Sequence, residues 1–353
     1  MYKQHLFTAE DADAWRTFLP SSVSVFGSLE YAEIWQELSG NRACLFVEES
    51  NQSSIAYPFF MRPIDSLPFS AHTAVRWDIR TPDFTGPIVQ GQDASGKLTG
   101  FAERFSRSCQ TQGIVAEFAH LHPWIACTEL LEDAHLQLDR EIVYVDLSLS
   151  EEQLWRESFT YACRKNIKRA QREHVEVCEA QTADDIREFH RIYVLTMERN
   201  QALDSYYFSL DFFLAFLERM PANARFVLAK CKDRVVAATL YLHDDDSVYS
   251  YLGGADHCYQ QVRPTNAVIY DTILWAKRQG KKRLILGGGY QPNDGIFRFK
   301  SSFSPLTAKF YVYKHIHLLE DYERLCKAWV KYYRRELDRN RYFPAYRSTI
   351  SRT

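Results

Sequence analysis

With 353 residues, 46% of them hydrophobic and 14% aromatic, the chain is too long for one typical domain and suits two with full cores. A formal net charge of -2 excludes bulk electrostatic attraction to nucleic acid and leaves room only for local basic patches. No charged-then-apolar leader opens the chain, and no apolar run approaches the ~18 residues of a membrane span, so neither a signal peptide nor a transmembrane segment is expected.

In chain order, Ser28-Leu29-Glu30-Tyr31 opens a helical pattern through Trp35 and Leu38. It leads to the strand Arg42 to Val47, a polar turn, and the strand Ile55 to Phe60. Val143 to Ser148 alternates as a strand, and Ser148 with Glu151, or Ser150 with Gln153, offers a capping box for the helix that follows. In that helix Lys165, Lys168, Arg169 and Arg172 fall at i, i+3, i+4 and i+7, while Phe159, Cys163, Ile167 and Ala170 lie toward another face. Such a stripe is either a solvated face or a phosphate-binding one. Ser209-Leu210-Asp211-Phe212 then opens a second helix, followed by strands Arg225 to Ala229 and Val235 to Leu240. Helix, strand, short turn, strand thus recurs at nearly the same spacing, which points to a duplicated module.

The second copy continues as a strand from Ser247 to Gly253, a helix from about Thr265 to Gln279 stopped by Gly280, and a strand from Lys281 to Leu286. Strand-helix-strand of this length is a parallel crossover. The last strand empties into Gly287-Gly288-Gly289, where backbone must pass close to something. After the Gln291 to Gly295 turn, a further strand is expected, with Phe297 and Phe299 on one face and Arg298 and Lys300 on the other. The Tyr- and Arg-rich tail from Leu318 to Tyr346 reads as helical.

Arg164/Asn166/Ile167/Lys168/Ala170/Val175, then Tyr251/Gly253/Gly254, then the glycine turn into Phe299/Lys300/Phe303, together resemble the Fem family. Those are tandem-domain members of the GNAT superfamily that form peptidoglycan bridges by aminoacyl transfer. Arg80 to Pro87 and Ala116 to Pro123 also resemble first-domain landmarks of that group. The resemblance implies an α/β (α+β) fold of two tandem GNAT-like domains, each a mixed, mostly antiparallel sheet flanked by helices. The expected division is residues 1–147 and 148–317, with the helix from about 318 to 353 packing back on the first domain.

The implied reaction is direct attack of an acceptor amine on the donor carbonyl, so a missing nucleophile or triad is expected. Backbone N–H groups beside Tyr251, Gly253 and Gly254, where GNAT sheets splay, suit oxyanion or pantetheine contacts, or mark a simple strand end. Lys300 would offset charge on the donor, and Phe299 would stack on a base or form an acyl wall. Asp294 is a candidate proton acceptor, or a turn former in its Pro-Asn-Asp-Gly context. CoA-dependent relatives carry a glycine-rich loop before the crossover helix, whereas Gln261 to Asn266 here has no glycine and includes Pro264. Arg263 and Asn266 remain the donor-side candidates in that stretch. For the acceptor, the resemblance implies Arg199, Tyr206 and Tyr207, with Arg80 and Asp83 from the first domain. Arg164, Lys165, Lys168 and Arg172 are the candidate RNA or phosphate contacts.

The function implied is transfer of an aminoacyl group from aminoacyl-tRNA to a primary amine of a cell-envelope, peptidoglycan-precursor-like acceptor. Two alternatives stay open. One is acyl-CoA-dependent transfer to an amino sugar, polysaccharide precursor or peptide, and the other is a non-catalytic RNA-binding protein. No tightly bound cofactor is expected, with aminoacyl-tRNA or acyl-CoA as co-substrate. The expected partners are a small-molecule, lipid-linked or nucleotide-linked acceptor and tRNA, with peripheral membrane contact and no DNA. Eight cysteines, at 44, 109, 127, 163, 178, 231, 258 and 326, are scattered without a C-x-x-C pair, which suits free thiols in a reducing cytoplasm. No His/Cys cluster has zinc spacing along the chain, so no metal site is expected.

Overall fold

Each copy of the repeat folds as the pattern dictates. In the computed structural model, which describes residues 2–50, 53–70, 75–91 and 100–349, Ser28 caps its helix by accepting from the Tyr31 N–H, and Ser209 caps its own from Phe212. The polar turn at 51–52 and the chain end at 350–353 lie outside the described residues. The chain divides into unit 1 (Met1–Pro20, Phe26–Asp139, Phe310–Thr353) and unit 2 (Ser21–Val25, Arg140–Lys309). The division falls inside a strand, between Asp139 and Arg140, whereas the sequence places it after that strand's end.

Unit 1 contains β1 (Lys3–Thr8), α1 (Ala12–Phe18), α2 (Leu29–Ser39), β2 (Arg42–Glu49), β3 (Ser53–Pro63), β4 (Trp77–Arg80), β5 (Ile88–Gly91), α3 (Phe101–Thr111) and β6 (Ile114–Leu121). The start of β7 (Leu136–Asp146) and most of β13 (Thr307–Ile316) also belong to it, followed by α10 (Leu319–Tyr333). β1, β2, β3, β4, β6 and β13 lie in that order, with β5 paired to the first part of β3. Among these described strands only β4 and β6 run parallel. α3 fills the crossover and buries Phe101 and Phe105 against Phe46 and Tyr57. α10 buries Tyr322, Leu325 and Trp329 with Ile64, Val115 and Ala116, so the tail completes the core of this unit.

Unit 2 continues β7 into α4, a single turn at Glu151–Gln153, and then a π-helical stretch over Leu154–Ser158. Ser150 and Gln153 form the capping box, which decides between the two candidate boxes. The chain breaks at Phe159 and restarts as α5 (Tyr161–Arg172), capped by Thr160. The single basic helix expected from the sequence is therefore two helices. Arg164 bridges the break through Nη1, which donates to the carbonyls of Trp155 and Phe159.

The unit goes on through β8 (Glu176–Glu179), α6 (Ala183–Arg199), α7 (Leu210–Arg219), β9 (Ala224–Cys231), β10 (Arg234–His243), β11 (Ser247–Ala255), α8 (Pro264–Arg278), β12 (Arg283–Gly287) and α9 (Gly295–Ser301). Its strands lie in the order β7, β12, β11, β10, β9, β8, and only β11 and β12 run parallel. Phe189 of α6 meets Phe226 on one face of β9, while Val227 joins Val268 and Ile273 of α8 in the core on the other. Both units thus repeat one scheme, an antiparallel meander followed by a helical crossover into one parallel neighbour. None of the described helices is long and apolar enough to cross a membrane.

Candidate active site

The site grows from the point where β11 and β12 part. They pair only at Ser247, Val248 and Tyr249, so from Ser250 onward β12 no longer covers that edge of β11. Just beyond, the β10–β11 register slips between Leu240 opposite Leu252 and Tyr241 opposite Ser250, which makes Tyr251 the extra residue of a bulge. A bulge re-aims backbone and side chain beside a gap. Into that gap opens a cavity of about 470 Å³, within the range for small-ligand sites. Tyr251, Gly253 and Gly254 line it, with Arg199 of α6, Arg263 and Asn266 at the start of α8, and Phe299 and Lys300 of α9. The sequence assigned five of these residues to the donor, Phe299 and Lys300 to catalysis and Arg199 to the acceptor, and all of them line this one cavity.

Close packing explains a glycine here. A Cβ on Gly254 would clash with Thr196 Oγ1 and sit 2.7 Å from the Ile192 carbonyl, so α6 can lie on β11 only if this residue is glycine. Gly254→Ala is expected to destabilise the protein by ~1–3 kcal/mol, as overpacking does. Urea unfolding checks this, and a midpoint unchanged from wild type would contradict the packing.

The segment after the glycine turn departs from the strand expected of its sequence. Phe297 to Ser301 is helix α9, not a strand. Asp294 is its N-cap, accepting from the Phe297 N–H at 2.7 Å, and it also accepts from Tyr290 at 2.7 Å and Gln291 at 3.2 Å. The hydrogen bond from Phe297 is the leading cause that holds this carboxyl below the ordinary range. The structure therefore gives Asp294 a capping role, not that of a proton acceptor. In a helix, Ile296, Phe299 and Lys300 share a face at i, i+3 and i+4, and all three line the cavity. Arg298 turns away to the Asn293 carbonyl.

Lys300 is half-buried, and its Nζ donates to the Gly288 carbonyl at 2.8 Å. Gly287, at φ +80, brings the turn so close that a Cβ there would lie 3.3 Å from Nζ. Burial lowers the ammonium to about 8, Asp294 opposes the shift, and Arg140 adds to it. Lys300 is thus a cation that can lose its proton near neutral pH. Cys163, buried on α5, is no nucleophile, because burial raises its thiol to about 12.

At the start of α8, Arg263 is left-handed at φ 60, and Pro264 takes the first helical position without an N–H to offer. Arg263 Nε and Asn266 Nδ2 are buried without a hydrogen-bond partner among the described residues. Thr196, Thr239 and Ser250 also line the cavity. The sequence reading missed them, because a lone hydroxyl within a helix or strand carries no local signal.

Other candidates lie elsewhere. Tyr206 and Tyr207 are exposed at a 3-10 turn and do not line this cavity. Arg199, which does, donates to the Ala255 carbonyl at 3.3 Å. Arg80 and Asp83 belong to unit 1, where they line a cavity of about 190 Å³ with Trp35 and Arg62. There Asp83 pairs with His120 at 3.1 Å and with Arg80 at 3.8 Å. The basic stripe of α5 forms a concave surface of its own, about 650 Å³, in which Arg164, Lys165, Lys168 and Arg172 are interleaved with Trp155 and Tyr161. Lys168 Nζ sits 5.8 Å from the centre of the Trp155 ring.

The acetyltransferase (GNAT) domain family matches residues 158–301, a span that holds the whole lining of the cavity and all of the basic surface except Trp155. The chain carries a GNAT acyltransferase domain. Among curated proteins none matches the sequence. Among solved structures, FemX is similar with a TM-score of 0.68 at 12% identity, over 91% of this chain and 99% of that one. A conserved protein of unknown function from Bacteroides thetaiotaomicron follows at 0.59 and 13%, over 90% of this chain and 100% of that one. The C-terminal domain of a candidate lysylphosphatidylglycerol synthetase from Agrobacterium fabrum matches at 0.56 and 12%, over 87% and 91%. At these identities the likeness is one of fold. It extends over both units, so the fold is that of two GNAT-like domains in tandem, as in FemX. The protein is an acyltransferase, which sets aside the reading as a non-catalytic RNA-binding protein.

Proposed function

We propose that this GNAT domain transfers an aminoacyl group from aminoacyl-tRNA to a primary amine of a cell-envelope precursor. The observation that carries the choice of donor is the start of α8. A pyrophosphate cradle needs backbone N–H groups free to converge on an anion, and here a proline and a left-handed arginine occupy the place. The basic, aromatic-lined surface of α5 supports a nucleic-acid donor, since phosphates pair with lysine and arginine and bases stack on Trp155 or Tyr161. The likeness in fold to a domain of a lysylphosphatidylglycerol synthetase, an enzyme named for a membrane lipid product, supports an envelope acceptor.

In this reading the acceptor nitrogen attacks the ester carbonyl that links the amino acid to the terminal ribose. The carbonyl oxygen takes up the electron pair, and polar groups beside the Tyr251 bulge stabilise it. Neutral Lys300 accepts the proton released by the nitrogen. The intermediate then collapses as the C–N bond is kept and the C–O bond to ribose breaks. The departing ribose oxygen takes up a proton, which Lys300 can return.

The second reading is an acyl-CoA donor, favoured by the unpaired Arg263 Nε and Asn266 Nδ2, which could meet a phosphate. Filter binding with charged tRNA and calorimetry with acetyl-CoA separate the two. Charged tRNA is expected to bind, with affinity falling as salt rises, and acetyl-CoA is expected not to. Tight acetyl-CoA binding with no binding of charged tRNA would reverse the assignment.

A further inference from the structure

Unit 1 holds a cluster of ligating side chains that the acyl-transfer chemistry does not use. β13 places Tyr313 and His315 on one face at a period of two, His317 follows just past the strand's end, and the β6–β13 register sets Glu117 directly opposite His315. Glu117 and His317 are buried, at 1% and 6% exposed. Ligand atoms of Glu117, His315 and His317 lie within 4.8 Å of one another, as do those of Glu132, His135 and His315. The imidazoles stack in a row, His135 on His315 at 4.4 Å and His315 on His317 at 4.5 Å.

The partners around this row leave its inner atoms to a ligand. His317 Nδ1 lies 3.0 Å from Ser106 Oγ, and His315 Nδ1 lies 2.9 Å from the Tyr313 hydroxyl. One Glu117 oxygen accepts from the Tyr57 hydroxyl. The other stands 3.2 Å from His317 Nε2, a nitrogen that is buried and makes no hydrogen bond among the described residues. Two ligand atoms that each sit ~2.0–2.1 Å from a tetrahedral zinc ion are ~3.3 Å apart, so this spacing is that of neighbouring ligands. A hydrogen bond on the far nitrogen of each histidine is also the support that metal-bound imidazoles receive. Without an ion, a buried nitrogen that faces a carboxylate 3.2 Å away but makes no hydrogen bond to it, among stacked imidazoles, is a costly arrangement.

We propose that unit 1 binds a divalent transition metal ion, zinc first, through Glu117, His315 and His317, with His135 or Glu132 beside it as a further ligand. Two imidazoles and one carboxylate suit zinc over calcium or magnesium. The ion would clamp β6 to β13 and hold the 132–135 turn against them.

The test uses the full chain. After incubation with zinc and dialysis, elemental analysis is expected to find one zinc per chain. Cobalt(II) in its place is expected to give the strong visible absorption of a four-coordinate site, and zinc to raise the melting temperature of the stripped protein. His315→Gln, at a half-buried position, is expected to lose the metal and the cobalt band while remaining folded by circular dichroism. Should His317→Ala fail to fold, His315→Gln still decides the matter. Wild-type protein that retains no zinc and gives no cobalt band overturns the proposal. So does His315→Gln protein that holds the metal with an unchanged cobalt spectrum.

Discussion

Lys300→Met is expected to lower turnover roughly 10²–10⁴-fold, the range for losing a positioned acid–base group, without lowering the melting temperature. The separation of the two effects is the informative part. The ammonium is held at about 8 chiefly by burial, so its charged form costs stability in the fold. The sign follows from linkage. Between about 8 and the ordinary 10.5 the unfolded chain binds more protons, so the contribution of Lys300 to stability improves as pH rises through that window. At neutral pH methionine removes the penalty along with the hydrogen bond to Gly288, while the apolar stem still packs in α9. Lys300→Arg discriminates between roles. If the side chain only offsets negative charge, arginine restores part of the rate; if it must accept a proton, arginine is as inactive as methionine, because its guanidinium does not release one. The wild-type rate is expected to rise with pH to a plateau above about 8, following the lysine. Carbon-13 resonances of the reductively methylated protein report that titration directly. A Lys300 signal titrating near the ordinary 10.5 would remove the base from the mechanism, whatever the mutant rates.

Asp78→Ala is expected to be the most damaging single change in unit 1, at ~3–5 kcal/mol, the cost of leaving a buried partner charge uncompensated. Asp78 on β4 is fully buried, and Arg62 on β3 is 8% exposed. Arg62 Nε donates to Asp78 Oδ1 at 2.6 Å, while Arg347 Nε at 2.6 Å and the Tyr346 hydroxyl at 3.0 Å donate to Oδ2. Arg347 also reaches the Arg62 and Pro63 carbonyls, so one carboxylate ties the C-terminal segment to two strands. In calorimetry the unit 1 transition should fall by roughly 6–20 °C, taking about 2–4 °C per kcal/mol for a domain of this size. Asp78→Asn keeps the shape and one acceptor oxygen, and should lie between. A drop of less than about 2 °C for the alanine variant would show that the two arginines find other partners and that the network does not anchor the tail.

Much of the local structure was legible from the chain alone, because it rests on short-range physics. The capped helix–hairpin units at Ser28 and Ser209, the crossover from β11 through α8 to β12, and the basic stripe of α5 all follow from side-chain caps, apolar periodicity and a stop at Gly280. Even the error at α9 has a local cause. An aspartate three residues before Phe297 was the start signal of a helix, but alternating Phe-Arg-Phe-Lys reads equally as a strand, and only packing of Phe299 and Phe303 against the core settles which period is used. The sites themselves are products of strand register and of where strands part. Arg199, Arg263 and Lys300 meet because β12 leaves β11 after Tyr249, an event without a sequence signal at any of the three. Glu117 meets His315 and His317 because β6 pairs with β13 across almost two hundred residues of chain. Ligand spacing read along the sequence could not find that cluster, since its distances are set by hydrogen bonds between strands, not by steps along the backbone.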